Sequence, residues 1–259
     1  LFRSPSRMVR LRDPARPVRL HLSLCVLDDH RPAAAVNGVV TGVVAVSEGT
    51  VTNVDSTNAG GCIQNGPSIV GGSGDIGQEV CQELARAGHH VAVHFYQSEK
   101  KAKQLASDIG GLALAADISK KSEVDRMVKW LTKKWGGVDA LVNIAGWPIT
   151  PKTQKYWDLG FEKITAREYL QVFEVDTLGT IHCCQAVLPL MKKKGGGRII
   201  NFVSTPAVNG HDKGYPFTAA KGAVLSLTKS LALEVGRHGI TVNAIALGTI
   251  ATHWMNLYS

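Results

Sequence analysis

From residue 68 onward, short β-rich runs alternate with helical runs, and this alternation limits the fold more than any other feature. Strands are predicted at 68–71, 91–95, 112–116, 140–144, 198–203 and 241–246. Helices are predicted at 76–87, 100–109, 122–134, 181–194 and 217–236. The spacing Thr165-x-x-Glu168 is a capping box that opens one more helix. Gly88, Gly136 and Gly195 each follow a helical run, where glycine readily adopts the left-handed conformation that ends a helix. Apolar strands separated by helices imply a parallel sheet covered on both faces. Right-handed crossovers then give an α/β, Rossmann-like, doubly wound sheet.

Residues 1–67 are made differently. They hold seven Arg and no Lys, whereas the rest of the 259-residue chain holds seventeen Lys and five Arg. Pro5, Pro14, Pro17 and Pro32 interrupt them, and their apolar residues keep no helical period. The Arg-rich stretch 3–19 is transit-peptide-like in composition, but its prolines oppose the amphipathic helix such a peptide needs. The expected organisation is an extension, 1–67, poorly ordered or not native, followed by one domain, 68–259. Little order is expected before residue 60. The chain opens on Leu1 rather than Met, which suits a fragment.

Composition narrows the partners. The longest nearly apolar run, 33–46, is too short to span a bilayer and contains Asn37 and Thr41, so no membrane partner is expected. Five cysteines without a C-x-x-C pair argue against a disulfide framework or a metal site and favour a reducing compartment. A cytoplasmic location is expected, with organellar targeting by the Arg-rich start left open. The net charge of +8 is modest, and the lysines at 100–103 and 192–194 carry no interleaved aromatics, so no nucleic-acid partner is expected. Cys183 and Cys184 lie in an otherwise apolar helical run and read as packing residues.

The turn after the first predicted strand, 70–77, reads V-G-G-S-G-D-I-G. A helix N-terminus follows a strand there, and its free N–H groups and dipole suit a pyrophosphate. Gly71 permits the tight turn and Gly77 the close approach of helix to strand. In its order of motifs the chain from 68 resembles the short-chain dehydrogenase/reductase family, and within it the 3-oxoacyl-acyl-carrier-protein-reductase-like members. The turn resembles the family's T-G-x-x-x-G-x-G. Ala116-Asp117-Ile118 resembles the strand end that meets the adenine ring. The run 135–146, ending Asn143-Ile144-Ala145-Gly146, resembles the N-N-A-G segment and its lead-in. The run 198–204 resembles the serine strand, Lys221 falls where the family has the Lys of Y-x-x-x-K, and 242–252 resembles V-N-x-x-x-P-G-x-x-x-T.

The resemblance implies cofactor contacts from Gly71, Ser73, Gly74, Asp75, Ile76, Gly77, Tyr96, Asp117, Ile118, Asn143, Ala145, Gly146, Lys221, Gly248 and Ile250. It implies hydride exchange between a nicotinamide and a carbonyl or secondary alcohol. Ser204 would orient the substrate oxygen and Lys221 would hold the nicotinamide ribose. The departures are Val70 for Thr, Asp75 for the middle Gly, Ile144 for the second Asn, Asp176 for a catalytic-site Asn, Leu247 for Pro, and Phe217 for the catalytic Tyr. Phe cannot donate a proton, and a missing general acid costs about 10²–10⁴-fold in rate. Tyr215, Asp176 and a water are candidate substitutes. Tyr215, beside Pro216, is expected in a loop. An impaired nucleotide-binding homologue with a structural or regulatory role is the competing reading, and an incomplete or error-bearing enzyme sequence a third.

No acid stands at the end of the second strand, 93–98, and Lys100 and Lys101 follow, so NADP is preferred over NAD. The segment 147–161 is rich in Trp, Tyr and Pro and either lines the substrate entrance or covers an edge. Only seven residues follow Thr252, so the last strand of the sheet is expected to be missing. Surplus leucines on 217–236 imply a homodimer or homotetramer through that helix and 181–194.

Overall fold

A computed structural model describes residues 43–46, 67–147, 153–248 and 250. Its core is a seven-stranded, all-parallel sheet made of β1 (Val43–Val46), β2 (Pro67–Val70), β3 (His90–Phe95), β4 (Leu112–Ala115), β5 (Ala140–Asn143), β6 (Gly197–Ser204) and β7 (Ile240–Leu247). The spatial order is β1-β7-β6-β5-β2-β3-β4. The direction of winding reverses between β2 and β5, and the carboxyl ends of those two strands frame the crevice where doubly wound folds bind ligands.

Helices cover both faces. On one side α1 (Asp75–Arg86) and α2 (Glu99–Asp108) set Cys81, Leu105 and Ala106 against Val91, Val93, Phe95, Val142 and Phe202 of the sheet. On the other, α3 (Lys121–Trp135) sets Leu131 against the sheet, beside Val187 and Met191 from a helix described below, over Leu141, Ile199 and Val242. Neighbouring sheet residues thus serve opposite faces, as the period-two geometry of a strand requires. β3 is buried along all but its first residue, which is why its sequence shows no polar alternation.

Past β5 come the short helix α4 (Gln154–Asp158) and α5 (Ala166–Phe173), opened by the expected Thr165–Glu168 capping box. A π-helical turn, Glu174–Leu178, carries α5 into α6 (Gly179–Lys194). Then α7 (Thr205–Asn209) follows β6, and α8 (Tyr215–Val235) precedes β7. Gly136 and Gly195 close α3 and α6 at φ 84° and 79°, as their sequence positions imply. Among the described residues no helix is long and apolar enough to cross a membrane.

Two expectations are corrected. The sheet's seventh place is not vacant: Val43–Val46, from the segment expected to lack order, pairs in parallel with Ala244–Leu247. An extended apolar quartet satisfies the open edge of β7 whichever part of the chain supplies it. The other residues before 67, including the Arg-rich stretch, lie outside the described residues. Tyr215 is not in a loop but is the first residue of α8. Pro216 is tolerated in that first turn, where a backbone N–H has no helical acceptor.

Candidate active site

The glycine turn is built around close backbone approaches. A methyl group on Gly77 would stand 2.4 Å from the Gly71 carbonyl oxygen and 2.8 Å from Gly72 Cα, so α1 reaches the turn only because position 77 is glycine. A methyl on Gly71 would stand 2.7 Å from the Ala145 amide nitrogen, which ties the β2 turn to the end of β5. Gly74 is exposed, and a methyl there would meet nothing within 4 Å. Ser73, Asp75 and Ile76 complete the turn, with Asp75 in the first turn of α1. The result is an open cradle at a helix N-terminus, at the switch point of the sheet. It fits a pyrophosphate, which binds free N–H groups and needs backbone rather than side chains nearby.

Around the cradle the expected cofactor residues take different positions. Tyr96 is 60 % exposed just past β3. Asp117 follows β4, and its Oδ1 accepts from the Ser119 hydroxyl at 2.6 Å and the Ser119 amide at 3.1 Å. Partial burial works to raise its pKa, and the Ser119 bonds and the Lys120 ammonium outweigh that and hold the carboxyl below the usual range. Ile118 is turned into the core, where it lies against Gly179 so closely that a methyl on that glycine would be 2.6 Å from Ile118 Cδ1. With Gly71, His94, Asn143, Ala145 and Thr180 it lines a cavity of about 20 Å³, enough for one water and far too small for a purine. Asn143 is also turned inward. Its side-chain amide donates to Asn201 Oδ1 at 2.8 Å, and Asn201 in turn donates to the Thr228 hydroxyl at 2.9 Å. This buried chain joins β5, β6 and α8, so Asn143 positions strands rather than facing the cleft. Gly248 and Ile250 are half-buried beyond β7.

The expected catalytic residues Ser204 and Lys221 lie where β6 meets α8. Lys221 is buried, and its ammonium donates to the Phe202 carbonyl at 3.2 Å and stands 3.1 Å from Asp176 Oδ2. Phe202 precedes Ser204 by two residues on β6, so Lys221 is fixed beside the strand end that carries the serine. The Ser204 hydroxyl donates to the Leu247 carbonyl at 3.3 Å. Asp176, fully buried in the π-helical turn, accepts the Trp147 amide N–H through Oδ1. Lys221 and Asp176 are therefore in contact, and Ser204 lies two residues along β6 from the carbonyl that Lys221 binds.

Phe217 sits one helical turn before Lys221, with the ammonium 5.8 Å from its ring centre. Its other neighbour is Trp157 of α4, at 5.7 Å. The Trp157 carbonyl accepts the Gly214 amide at 2.9 Å, and Lys213 pairs with Asp158 at 3.0 Å, so α4 is fastened to the start of α8. Within 147–161, α4 therefore packs against the N-terminal end of α8. Tyr215 is turned elsewhere, edge-on to Phe161 at 5.4 Å. Six residues on a helix amount to about 600°, which leaves Tyr215 about 120° away from Lys221.

Sequence reasoning missed Asn201 and His94. His94 is a buried strand residue whose Nε2–H donates to the Ala116 carbonyl at 2.9 Å. Burial pushes its pKa down, against smaller opposing effects of that bond and of Asp117. The thiols of Cys81, Cys183 and Cys184 are pushed up to about 12 by burial, in keeping with a packing role.

A doubly wound sheet, a glycine cradle at its switch point and a buried lysine beside a strand-end serine define a dinucleotide-dependent oxidoreductase domain. Residues 68–258 match the short chain dehydrogenase family, and the chain belongs to it. It is 33% identical to the 3-oxoacyl-(acyl-carrier-protein) reductase of Staphylococcus epidermidis over 196 residues, 74% of this chain and 77% of that one. It is 34% identical to the reductase of the same name from a Synechocystis strain over 189 residues, 71% of this chain and 73% of that one. It is 30% identical to a D-beta-hydroxybutyrate dehydrogenase of Rhizobium meliloti over 190 residues, 71% of this chain and 70% of that one.

Proposed function

We propose that this protein is an NADP-preferring oxidoreductase that interconverts a carbonyl and a secondary alcohol, with 3-oxoacyl thioesters and 3-hydroxy acids the first substrates to test. The observation that carries the reading is Lys221, buried on α8 and anchored to β6 two residues before Ser204. A bound nicotinamide supplies or accepts the hydride. The turn Gly71–Ser73–Gly74–Asp75–Ile76–Gly77 would hold the pyrophosphate, and Tyr96, Asp117, Ala145, Gly146, Gly248 and Ile250 would flank the rest. Ser204 would turn its hydroxyl from Leu247 to the substrate oxygen. Lys221 would donate to ribose oxygens and set a positive charge beside the developing alkoxide. Phe217 supplies no proton, Tyr215 is turned onto Phe161 and Asp176 is held in the ion pair with Lys221, so a water reached through the cleft is left to serve, and turnover is slow.

Support for NADP comes from the acids. The first carboxylate along the chain after β3, Glu99, is paired with Lys103 at 2.6 Å, while Lys100 and Lys101 are exposed beside it. No carboxylate among the described residues 94–98 is left to bind a ribose 2′-hydroxyl. Leu170, Leu178 and Leu233 are exposed on α5, the π-helical turn and α8, which supports a homodimer or homotetramer built on the helical face that includes α6 and α8. Buried thiols suit a reducing compartment such as the cytoplasm.

The test is NADPH oxidation against a panel of ketones and 3-oxoacyl thioesters at high enzyme concentration. Slow oxidation with at least one member is expected. Tight cofactor binding with no oxidation by any member would favour the competing reading, a nucleotide-binding homologue without turnover, for which the loss of the family's Tyr at Phe217 is the motivating observation.

A further inference from the structure

We propose that the Asp176–Lys221 pair sets the charge of the nicotinamide pocket and that Asp176 thereby favours the oxidised, cationic cofactor over the reduced, neutral one. This rests on the proposed function, since it takes Lys221 to lie beside the nicotinamide ribose. Asp176 is fully buried and Lys221 nearly so, and they meet at 3.1 Å. The carboxylate is not free to move away. Oδ1 accepts the Trp147 amide, the backbone is wound into the π-helical turn, and Gly146 lies directly against it, since a methyl there would be 3.1 Å from Oδ2. Oδ2 makes the ion pair but no directed hydrogen bond, so the pair acts through charge more than through geometry.

The two charges cancel at a buried site. An uncharged residue at 176 leaves Lys221 as a lone buried cation, which repels a cationic ring and is indifferent to a neutral one. An uncharged residue at 221 leaves a lone carboxylate, with the opposite effect. Contacts to the adenine, the riboses and the pyrophosphate are common to both redox forms. They cancel in the ratio of the two dissociation constants, so the ratio reads the pocket's charge alone. Unit charges within several ångströms in a partly buried site interact strongly enough to move that ratio by about tenfold or more.

The experiment is titration of NADP⁺ and NADPH into the full-length protein and its variants by calorimetry, with folding followed by circular dichroism. Asp176→Asn keeps an acceptor for the Trp147 amide and is expected to raise the NADP⁺-to-NADPH ratio of dissociation constants about tenfold. Lys221→Met is expected to lower it by a similar factor, even though it weakens both forms. The double variant is expected to return the ratio to within about twofold of wild type. If one single variant does not fold, the other carries the test through its own sign, and a double variant whose ratio departs about tenfold from wild type overturns the proposal if neither folds. Both forms binding with an unchanged ratio in the single variants overturns the charge proposal alone. Neither form binding to folded wild-type protein overturns the proposed function and this inference with it.

Discussion

Under the proposed function Phe217 takes the place of the family's general acid, and Phe217→Tyr supplies the missing hydroxyl. The ring lies one turn before Lys221 on α8, its centre 5.8 Å from the ammonium, so a para-oxygen would lie within the influence of that charge. The cation favours the phenolate, which brings the phenol closer to the pKa of an effective donor. The added oxygen enters a half-buried position and changes one atom, so folding stability is expected to move by less than about 1 kcal/mol. A positioned general acid is worth about 10²–10⁴-fold, or roughly 3–5 kcal/mol of barrier. Steady-state NADPH oxidation with a substrate that wild type turns over should rise by a factor in that range, in kcat more than in KM. The matched control is Tyr215→Phe, which removes a hydroxyl from a ring seated on Phe161 and is expected to leave the rate unchanged. An unchanged rate in Phe217→Tyr together with lost activity in Tyr215→Phe would refute the placement of the proton donor.

Two further outcomes follow from the geometry. Gly77→Ala places a methyl 2.4 Å from a backbone oxygen that cannot swing aside, so it should lower thermal stability by about 1–3 kcal/mol and weaken cofactor binding. Gly74→Ala, with open space around it, is expected to do neither. His94 titrates with a lowered pKa in the folded state, so the unfolded chain takes up a proton that the folded one refuses. Its contribution to stability is therefore full above the ordinary histidine pKa of about 6.5 and is lost as pH falls through the lower folded value. Melting temperatures recorded from pH 7.5 down to 5 should fall less steeply in His94→Gln, and parallel slopes would contradict the assignment.

What was legible in the sequence was what local rules govern. The strands 91–95 and 198–203 and the helices ending at Gly136 and Gly195 follow from hydrophobic period and helix-stop glycines, and the capping box from residues three apart. The proposed role of position 217 could be read from the sequence because Ser204, Phe217 and Lys221 have fixed spacings along the chain. Contacts between distant segments were not legible. Asp176 and Lys221 are 45 positions apart and meet only because the π-helical turn and α8 converge beside β5 and β6. The inward turn of Asn143 depends on Asn201, an unremarked strand residue, and that of Ile118 on a glycine in α6. Val43–Val46 finds its partner in β7 about 200 residues later, and a four-residue apolar quartet carries no mark of which edge it will join. Tyr215 was misplaced because Pro216 reads equally as a loop residue and as a tolerated member of a first helical turn.

The central claim is that the cradle between β2 and β5 binds a nicotinamide dinucleotide. Calorimetric titration of wild-type protein with NADPH tests it most directly. Saturable binding at one cofactor per chain, strongly weakened in Gly77→Ala and preserved in Gly74→Ala, is the predicted result. A folded wild-type protein that binds none of NADPH, NADP⁺, NADH or NAD⁺ would contradict it.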